Sequence, residues 1–435
     1  MNHGGGSSDP RYNLSFLVQT AAQAGLPFMS VSFNYRASMW GFLGGRQVLG
    51  TGNANLGLHD QRLALQWVQE NIGGFGGDAS RVTIWGGSSG ADDVGFHLLA
   101  HGGRDEGLFR AAIMQSGSPV AQMANAIDSL QAMYDSLVAE TGCTATADAL
   151  DCLRGLAYET LNGAFEDEPD GTSPRMKAFS MASIDGDFIP TYSSLALKEG
   201  RFVKVPILTG VMTNEGSSSI PLDVRVWEDE RGHLIDDLGF SDSVADRLMS
   251  LYEPVARQAD DLLDPPVKAI VSLAEFRRIE SLEGDLSINA ADRLQCEAYA
   301  DAGAGCYSFR FNAAIPTRLD PRLGVTHASE IAPLLQNAHG LGFAINPFSG
   351  ANDNAAFRDM ARLMGIMWAG FIVDLDPNAG LTEANGGSGL RWPKFSRARR
   401  ERMVFNSTGP WVERDFARLE AMSFISDIQH SILDR

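Results

Sequence analysis

The stretch RVTIWGGSSGADDVG, residues 81–95, decides the fold of this chain. It contains the pattern Gly-x-Ser-x-Gly, centred on Ser88. The letters VTIW just before the pattern are β-branched or aromatic and predict a short buried strand. The residues after it, Ala91–Ala100, predict a helix that Asp92 and Asp93 open, where acidic side chains suit the helix dipole. A strand, a glycine turn and a helix in this order are the setting in which the pattern places a nucleophilic serine.

The pattern by itself is a weak signal, because the chain contains 46 glycines. The alternative is that Ser88 is one polar residue in a glycine-rich turn. A serine hydroxyl becomes a strong nucleophile only when a base takes its proton and an acid orients that base. The rest of the sequence must therefore supply a histidine and a carboxylate.

The composition limits the classes of protein to which the chain can belong. The chain has 435 residues, of which 44% are hydrophobic and 20% charged, enough for a large core. Its formal net charge is −19. A surface this acidic repels phosphate backbones, so we expect no nucleic-acid partner. No run of apolar residues is long enough to predict a transmembrane segment.

Apolar runs bounded by glycine alternate with helical patterns along much of the chain. The predicted strands are Pro27–Tyr35, Val82–Trp85, Phe109–Gln115, Val205–Gly210 and Cys306–Asn312. The predicted helices are Leu56–Ile72, Ala91–Ala100, Phe357–Val373 and Ala417–Leu433, with mostly helical, less regular stretches over residues 121–200 and from the Val205–Gly210 strand to about residue 302. This alternation predicts a parallel sheet covered by helices, in one α/β domain spanning residues 1–435.

Four cysteines lie in two short-range pairs, Cys143 with Cys152 and Cys296 with Cys306. Neither pair has the spacing of a zinc site, and two disulfides formed in an oxidising compartment fit better, with buried free thiols as the alternative. Glycosylation sequons at Asn13 and Asn406 are compatible with secretion. The opening residues MNHGGGSSDPRY, however, have neither the basic nor the apolar region of a signal peptide.

Two criteria indicate which residues could be the base and the acid: their order along the chain and a position in a loop after a strand. In α/β hydrolases the serine is followed by Asp or Glu and then by His, each in a loop after a strand. His327, in LGVTHASEI, follows the predicted strand Cys306–Asn312, whereas the other histidines lack this setting: His3, His59, His97, His101, His233, His339 and His430. Glu215 follows the predicted strand Val205–Gly210 in a polar loop, where the alternative is a solvated surface charge.

Several blocks, in this order along nearly the whole chain, resemble the type-B carboxylesterase/lipase family, which includes fungal lipases and cholinesterases. They are NYRASMWGFLGG, NANLGLHDQRLALQWVQENIGGFGGDASRVTIWGGSSG, GLFRAAIMQSGSP, TNEG, GVTHASEI, VDLDPN and WPKF. The resemblance implies the α/β-hydrolase fold, with a mostly parallel central sheet and helical insertions. It also implies a serine-dependent carboxylic ester hydrolase, acting on a small-molecule or lipid ester without metal or organic cofactor.

By this resemblance Ser88 is the nucleophile, Glu215 the acid and His327 the base. The N–H of Ser89, the first after the nucleophile, is an expected donor of the oxyanion hole. The segment of Cys143 and Cys152 matches a family disulfide, whereas Cys296 and Cys306 have no reliable counterpart. Secretion is the expected location for the complete protein.

The chain departs from the family around the nucleophile and at its beginning. Gly87 and Ser89 stand where the family has Glu and Ala, and Asp93 stands where a second buried serine often lies. The letters HGGG at residues 3–6 match the family's oxyanion loop, with Gly5 and Gly6 as donors, but too few residues follow them. The preferred interpretation is that the chain begins just after that loop and lacks the early strands and the lid.

Two other functions remain open at this point. One is a non-catalytic binding or adhesion protein on the same fold, although such family members lose triad residues and all candidates are present here. The other is an inactive, truncated esterase fragment. Labelling of Ser88 by a fluorophosphonate separates the hydrolase from both.

Overall fold

The structure is a computed structural model that describes residues 6–121, 125–165, 179–220, 227–255, 274–315, 323–382, 387 and 389–429. Its strands, in chain order, are β1 (Thr83–Gly87), β2 (Ala111–Gln115), β3 (Asn125–Ala126), β4 (Ser183–Ile184), β5 (Ile207–Met212), β6 (Cys306–Phe311), β7 (Glu401–Phe405) and β8 (Trp411–Arg414). Within these residues the main sheet has the order β1-β2-β5-β6-β7-β8, and β3 pairs with β4 apart from it.

The main sheet is parallel from β1 to β7, and only β8 runs antiparallel to its neighbour. The carboxyl ends of the parallel strands therefore meet at one edge, where loops carry functional residues in α/β folds. The register places Gly87, the last residue of β1, opposite Gln115, the last residue of β2. Two strand ends are thus fixed side by side next to the residue that follows Gly87.

Helices flank the sheet. In chain order they are α1 (Ser15–Gln23), α2 (Met39–Phe42), α3 (Arg46–Gly50), α4 (Leu56–Asn71), α5 (Ser89–Gly103), α6 (Ile127–Glu140), α7 (Ala149–Arg154), α8 (Tyr158–Phe165), α9 (Ser193–Lys198), α10 (Trp227–Gly232), α11 (Asp242–Tyr252), α12 (Ala274–Gly284), α13 (Ala290–Asp301), α14 (Ile331–Leu334), α15 (Ala355–Asp374) and α16 (Leu419–Ile428). Two π-helical segments, His233–Asp237 and Asp285–Asn289, follow α10 and α12 directly. None of the described helices is both long and apolar enough to span a membrane.

The sheet is buried on both faces, as a parallel sheet between helices must be. Strands β2, β5 and β6 are buried along their whole length. Along β2, Ala111 and Ile113 pack into the core that includes α15. Ala112 and Met114 point the other way, into the core that includes α5 and α13. This alternation, which follows from the two-residue period of a strand, fixes the sheet between two helical layers.

Most elements predicted from the sequence are confirmed. Four predicted strands correspond to β1, β2, β5 and β6, and the predicted helices correspond to α4, α5, α15 and α16, with ends shifted by up to a few residues. The predicted strand Pro27–Tyr35 is wrong. It forms no ladder with any described residue, and Met29, Val31 and Phe33 are 46%, 45% and 39% exposed.

Both cysteine pairs form disulfides, Cys143–Cys152 and Cys296–Cys306. The second joins α13 to β6 and resolves the alternative between a disulfide and free thiols. The sequon at Asn406 does not fit glycosylation in the folded state. Its side chain is buried, and its amide nitrogen donates a hydrogen bond to the carbonyl oxygen of Asn312 at 3.0 Å.

Candidate active site

The turn between β1 and α5 presents Ser88 at the carboxyl edge of the sheet. Ser88 has φ 55° and ψ −128°, a conformation that costs a non-glycine residue free energy. Its N–H donates to the carbonyl oxygen of Gln115 at 2.7 Å, so the end of β2 holds the turn. The turn is also tight, because a Cβ on Gly86 would lie 2.0 Å from the carbonyl oxygen of Gly90. The absence of a side chain at Gly86 thus allows the sharp reversal that presents the Ser88 hydroxyl.

Glu215 lies three residues beyond β5, at the start of a 3-10 turn, Glu215–Ser218. Its side chain is fully buried. One carboxylate oxygen, Oε1, accepts the N–H of Met212 at 2.7 Å, which anchors the side chain to the end of its own strand. The predicted alternative of a solvated surface charge is therefore wrong for Glu215.

His327 lies in the loop after β6 and joins the other two residues. Its Nδ1 is 2.6 Å from Oε2 of Glu215, and its Nε2 is 2.8 Å from Oγ of Ser88. The side chain is 23% exposed, so its ring reaches solvent on one side. Three residues that are far apart in the sequence therefore form one continuous hydrogen-bonded chain.

Asn214 connects the loop of Glu215 to the loop of His327, a contact that sequence reasoning missed. Its N–H donates to the carbonyl oxygen of Val325 at 3.0 Å, and its Oδ1 accepts the N–H of Val325 at 2.9 Å. A backbone bridge also pairs Asn214 with Thr326, the residue before the histidine. The only sequence signal for this contact was the position of Asn214 directly before Glu215.

Asp92 and Asp93 are buried rather than solvated at the start of α5, so they are not simple surface complements of the helix dipole. Oδ1 of Asp92 accepts the N–H of Ser118 at 2.9 Å. Oδ2 of Asp93 accepts from the hydroxyl of Tyr35 at 2.9 Å and from Nε2 of Gln61 at 2.8 Å. Both aspartates therefore tie neighbouring segments to the helix that follows Ser88.

Several carboxylates act on the His327 ring. Burial lowers its pKa, but the charge of Glu215, the hydrogen bond to it and the charges of Glu330 and Asp92 together raise that pKa to about 9. Burial, with the charge of Glu215, raises the pKa of Glu330 to about 7. Only the neutral imidazole can accept a proton, and this form of His327 predominates at alkaline pH.

Three of the other histidines have partners outside this chain of hydrogen bonds. His97 contacts Gln61, His101 contacts Asp187, and His233 contacts Asp237. His3, Gly5 and His430 lie outside the described residues, so the oxyanion-loop interpretation of HGGG stays a prediction, as does the role of the Ser89 N–H. Among the described residues, no three His, Cys, Asp or Glu side chains are grouped so that they could hold a metal ion.

Comparison with known proteins agrees with this geometry. A model described as the carboxylesterase family matches residues 3–420. The chain belongs to the carboxylesterase family. Among its relatives, "Lipase 2" of Diutina rugosa is 32% identical over 422 residues, which are 94% of this chain and 70% of that protein. The "Secreted triacylglycerol lipase LIP1" of Gibberella zeae is 28% identical over 435 residues, 97% of this chain and 70% of that protein.

A solved structure supports the fold independently. The crystal structure of Aspergillus niger EstA superposes with a TM-score of 0.79 and covers 99% of this chain and 80% of that one, at 24% sequence identity. The predicted α/β-hydrolase fold and the predicted class of enzyme, a carboxylic ester hydrolase, are thereby confirmed.

Proposed function

We propose that this family member hydrolyses carboxylic esters through an acyl-enzyme on Ser88. The observation that supports the proposal is the continuous chain of hydrogen bonds from Ser88 Oγ through the His327 ring to Glu215. These are the contacts that a nucleophile, a general base and an orienting acid require. Ser88 is half-buried and the His327 side chain is 23% exposed, so neither side chain is sealed off from solvent.

In the first half of the reaction Ser88 Oγ attacks the ester carbonyl carbon while its proton passes to Nε2 of His327. Glu215 holds Nδ1–H and stabilises the imidazolium that forms. The tetrahedral intermediate collapses, the bond from carbon to the alcohol oxygen breaks, and His327 gives its proton to the departing alcohol. The acyl group then remains on Ser88 as an ester.

In the second half water attacks the acyl-enzyme with His327 again as base, and the carboxylic acid leaves as Ser88 recovers its proton. The N–H of Ser89, at the start of α5, is the donor that we assign to the developing oxyanion. Each such donor is worth about 3 kcal/mol of transition-state stabilisation.

The relatives narrow the substrate and the location. Their printed names include lipases and a triacylglycerol lipase, so we assign small-molecule or lipid esters of fatty acids to this chain. Relatives from Gibberella zeae and Botryotinia fuckeliana are named as secreted. Two disulfides also suit an oxidising compartment, so we propose that the protein works outside the cell.

Hydrolysis of p-nitrophenyl butyrate by the chain and by its Ser88→Ala variant tests the proposal. We expect activity that the substitution abolishes, together with fluorophosphonate labelling of the wild type and none of the variant. A folded wild type that neither hydrolyses the ester nor reacts with the fluorophosphonate would contradict the proposal and favour a binding protein. Activity that survives in the variant would exclude Ser88 as the nucleophile.

A further inference from the structure

Glu330, three residues after His327, is a buried carboxylate to which the reaction gives no role. Its side chain is 2% exposed, and Oε1 accepts a hydrogen bond from Nε2 of Gln115 at 2.8 Å. Its other oxygen, Oε2, is buried without a hydrogen-bond partner among the described residues. A carboxylate half-satisfied in this way is costly to bury, so packing alone does not explain why a charged residue stands here.

Gln115 links Glu330 to the nucleophile turn. Its backbone carbonyl accepts the N–H of Ser88 at 2.7 Å, and its side-chain Oε1 accepts the indole N–H of Trp85. Because an indole N–H can only donate, the amide oxygen of Gln115 must face Trp85 and its NH2 group must face Glu330. Glu330 therefore fixes the orientation of the residue that holds the backbone of Ser88.

The charge of Glu330 also acts on His327. No hydrogen bond joins it to His327, but its charge acts on the ring through space and favours the protonated form. Glu215 and His327 are the titratable groups whose charges act on Glu330 in return, and the hydroxyl of Tyr12 also senses its charge. Asp92 acts on His327 from the side of α5.

We propose that Glu330 is a positioning residue of the hydrolytic reaction, which holds the nucleophile turn through Gln115 and stabilises the His327 imidazolium by its charge. The inference rests on the proposed function, because an imidazolium forms only if His327 accepts the Ser88 proton. Its effect has two parts that a substitution can separate. The NH2 group of Gln115 needs a hydrogen-bond acceptor at position 330, whereas the His327 imidazolium is stabilised by a negative charge there.

The substitution Glu330→Gln separates them, since an amide oxygen can still accept from Gln115 while the charge is lost. The matched control is Asp292→Asn, another buried carboxylate, which bonds to Thr209 of β5 rather than to a triad residue. The first readout is the pH titration of the low-field NMR resonance of the proton between His327 and Glu215, which needs no turnover. The second is the pH profile of kcat/KM for p-nitrophenyl butyrate.

We expect Glu330→Gln to lower the His327 titration midpoint by about one pH unit, a tenfold change in its protonation constant. The acid limb of kcat/KM should move by the same amount, and kcat at the alkaline plateau should fall severalfold. A midpoint that stays at the wild-type value, or one that moves equally in Asp292→Asn, would overturn the proposal. A purely structural role of Glu330 would lower the plateau without moving the limb.

The two proposals fail in different ways. If the wild type shows no Ser88-dependent hydrolysis but His327 titrates lower in Glu330→Gln, the proposed function fails and only the electrostatic coupling stands. Should Glu330→Gln not fold, the reciprocal coupling is measured by comparing the wild type with His327→Gln. His327 is protonated in the pH range where Glu330 titrates, so removal of its charge should raise the pKa of Glu330 by the same amount, read from isotope-edited infrared bands of labelled glutamate. An unchanged carboxyl titration there would overturn the proposal.

Discussion

Replacing Glu215 by glutamine changes the fewest atoms of the triad, and the structure predicts which way the amide turns. The carboxylate accepts two N–H groups, from Met212 at 2.7 Å and from His327 at 2.6 Å. An amide has only one acceptor oxygen. If that oxygen stays on His327, the amide NH2 meets the Met212 N–H, and a buried donor without a partner costs about 1–3 kcal/mol.

The reverse orientation satisfies every group, so it should dominate. The amide oxygen then accepts from Met212, and the amide NH2 donates to Nδ1 of His327. This fixes the other tautomer, in which Nε2 carries the proton and points at Ser88 as a donor. A histidine in that tautomer cannot accept the serine proton. Loss of the correct tautomer costs about 10⁴-fold in kcat in the serine-protease triad, which corresponds to about 5.5 kcal/mol at 1.36 kcal/mol per factor of ten.

The assay compares kcat/KM for p-nitrophenyl butyrate in the wild type, in Glu215→Gln and in Asp292→Asn as the control. Thermal unfolding of each variant shows that the fold is kept, and the ¹⁵N shifts of labelled histidine report the tautomer of His327. A Glu215→Gln variant within tenfold of the wild type would refute the reasoning. So would a large loss of activity with the tautomer unchanged.

Three further predictions follow from the geometry of the site and of the disulfides. The acid limb of kcat/KM should lie near pH 9 rather than near 6.5, because the charge of Glu215 holds a proton on His327; a limb at the ordinary histidine value would contradict this. Gly86→Ala should destabilise the fold by about 3 kcal/mol or more in thermal unfolding, whereas Gly90→Ala, which meets nothing within 4 Å, should be milder; equal losses would contradict this. Replacing Cys296 and Cys306 by serine should lower the free energy of unfolding by about 3 kcal/mol in urea titrations, and an unchanged midpoint would refute a stabilising disulfide.

The sequence predicts which three side chains come together because each of them lies in a local pattern. The strands that precede Ser88, Glu215 and His327 are short apolar runs followed by polar loops, which the two-residue period and the glycines reveal. Parallel pairing then brings the ends of those strands to one edge of the sheet, without any further information from the sequence. The hydrogen bonds of the three side chains are the consequence.

The sequence does not show which charged side chains are buried. Strands β7 and β8 were not predicted, because they carry Arg402 and Glu413, which read as solvated residues. In the structure Glu413 accepts from Arg402 at 2.7 Å and from Arg310 of β6 at 2.8 Å, so charges from three strands compensate one another. Glu330 was missed for the same reason. Only the tertiary fold shows which charged side chains have partners inside the protein.

The predicted strand Pro27–Tyr35 illustrates the opposite error. Its letters have high β-propensity. Strand pairing, however, depends on a neighbour elsewhere in the chain, and none of the described residues forms a ladder with this segment. High β-propensity alone therefore does not predict membership of the sheet.

That exposed segment has a consequence for the protein in solution. Between Gly25 and Arg36 the sequence has no charged residue, and Met29, Val31 and Phe33 present an apolar row beside backbone groups free of ladder bonds to described residues. An uncharged, apolar, exposed segment of high β-propensity is a site of aggregation between molecules. The net charge of −19 keeps molecules apart by repulsion. Salt that screens this repulsion should therefore promote self-association, and a single lysine within the row should suppress it.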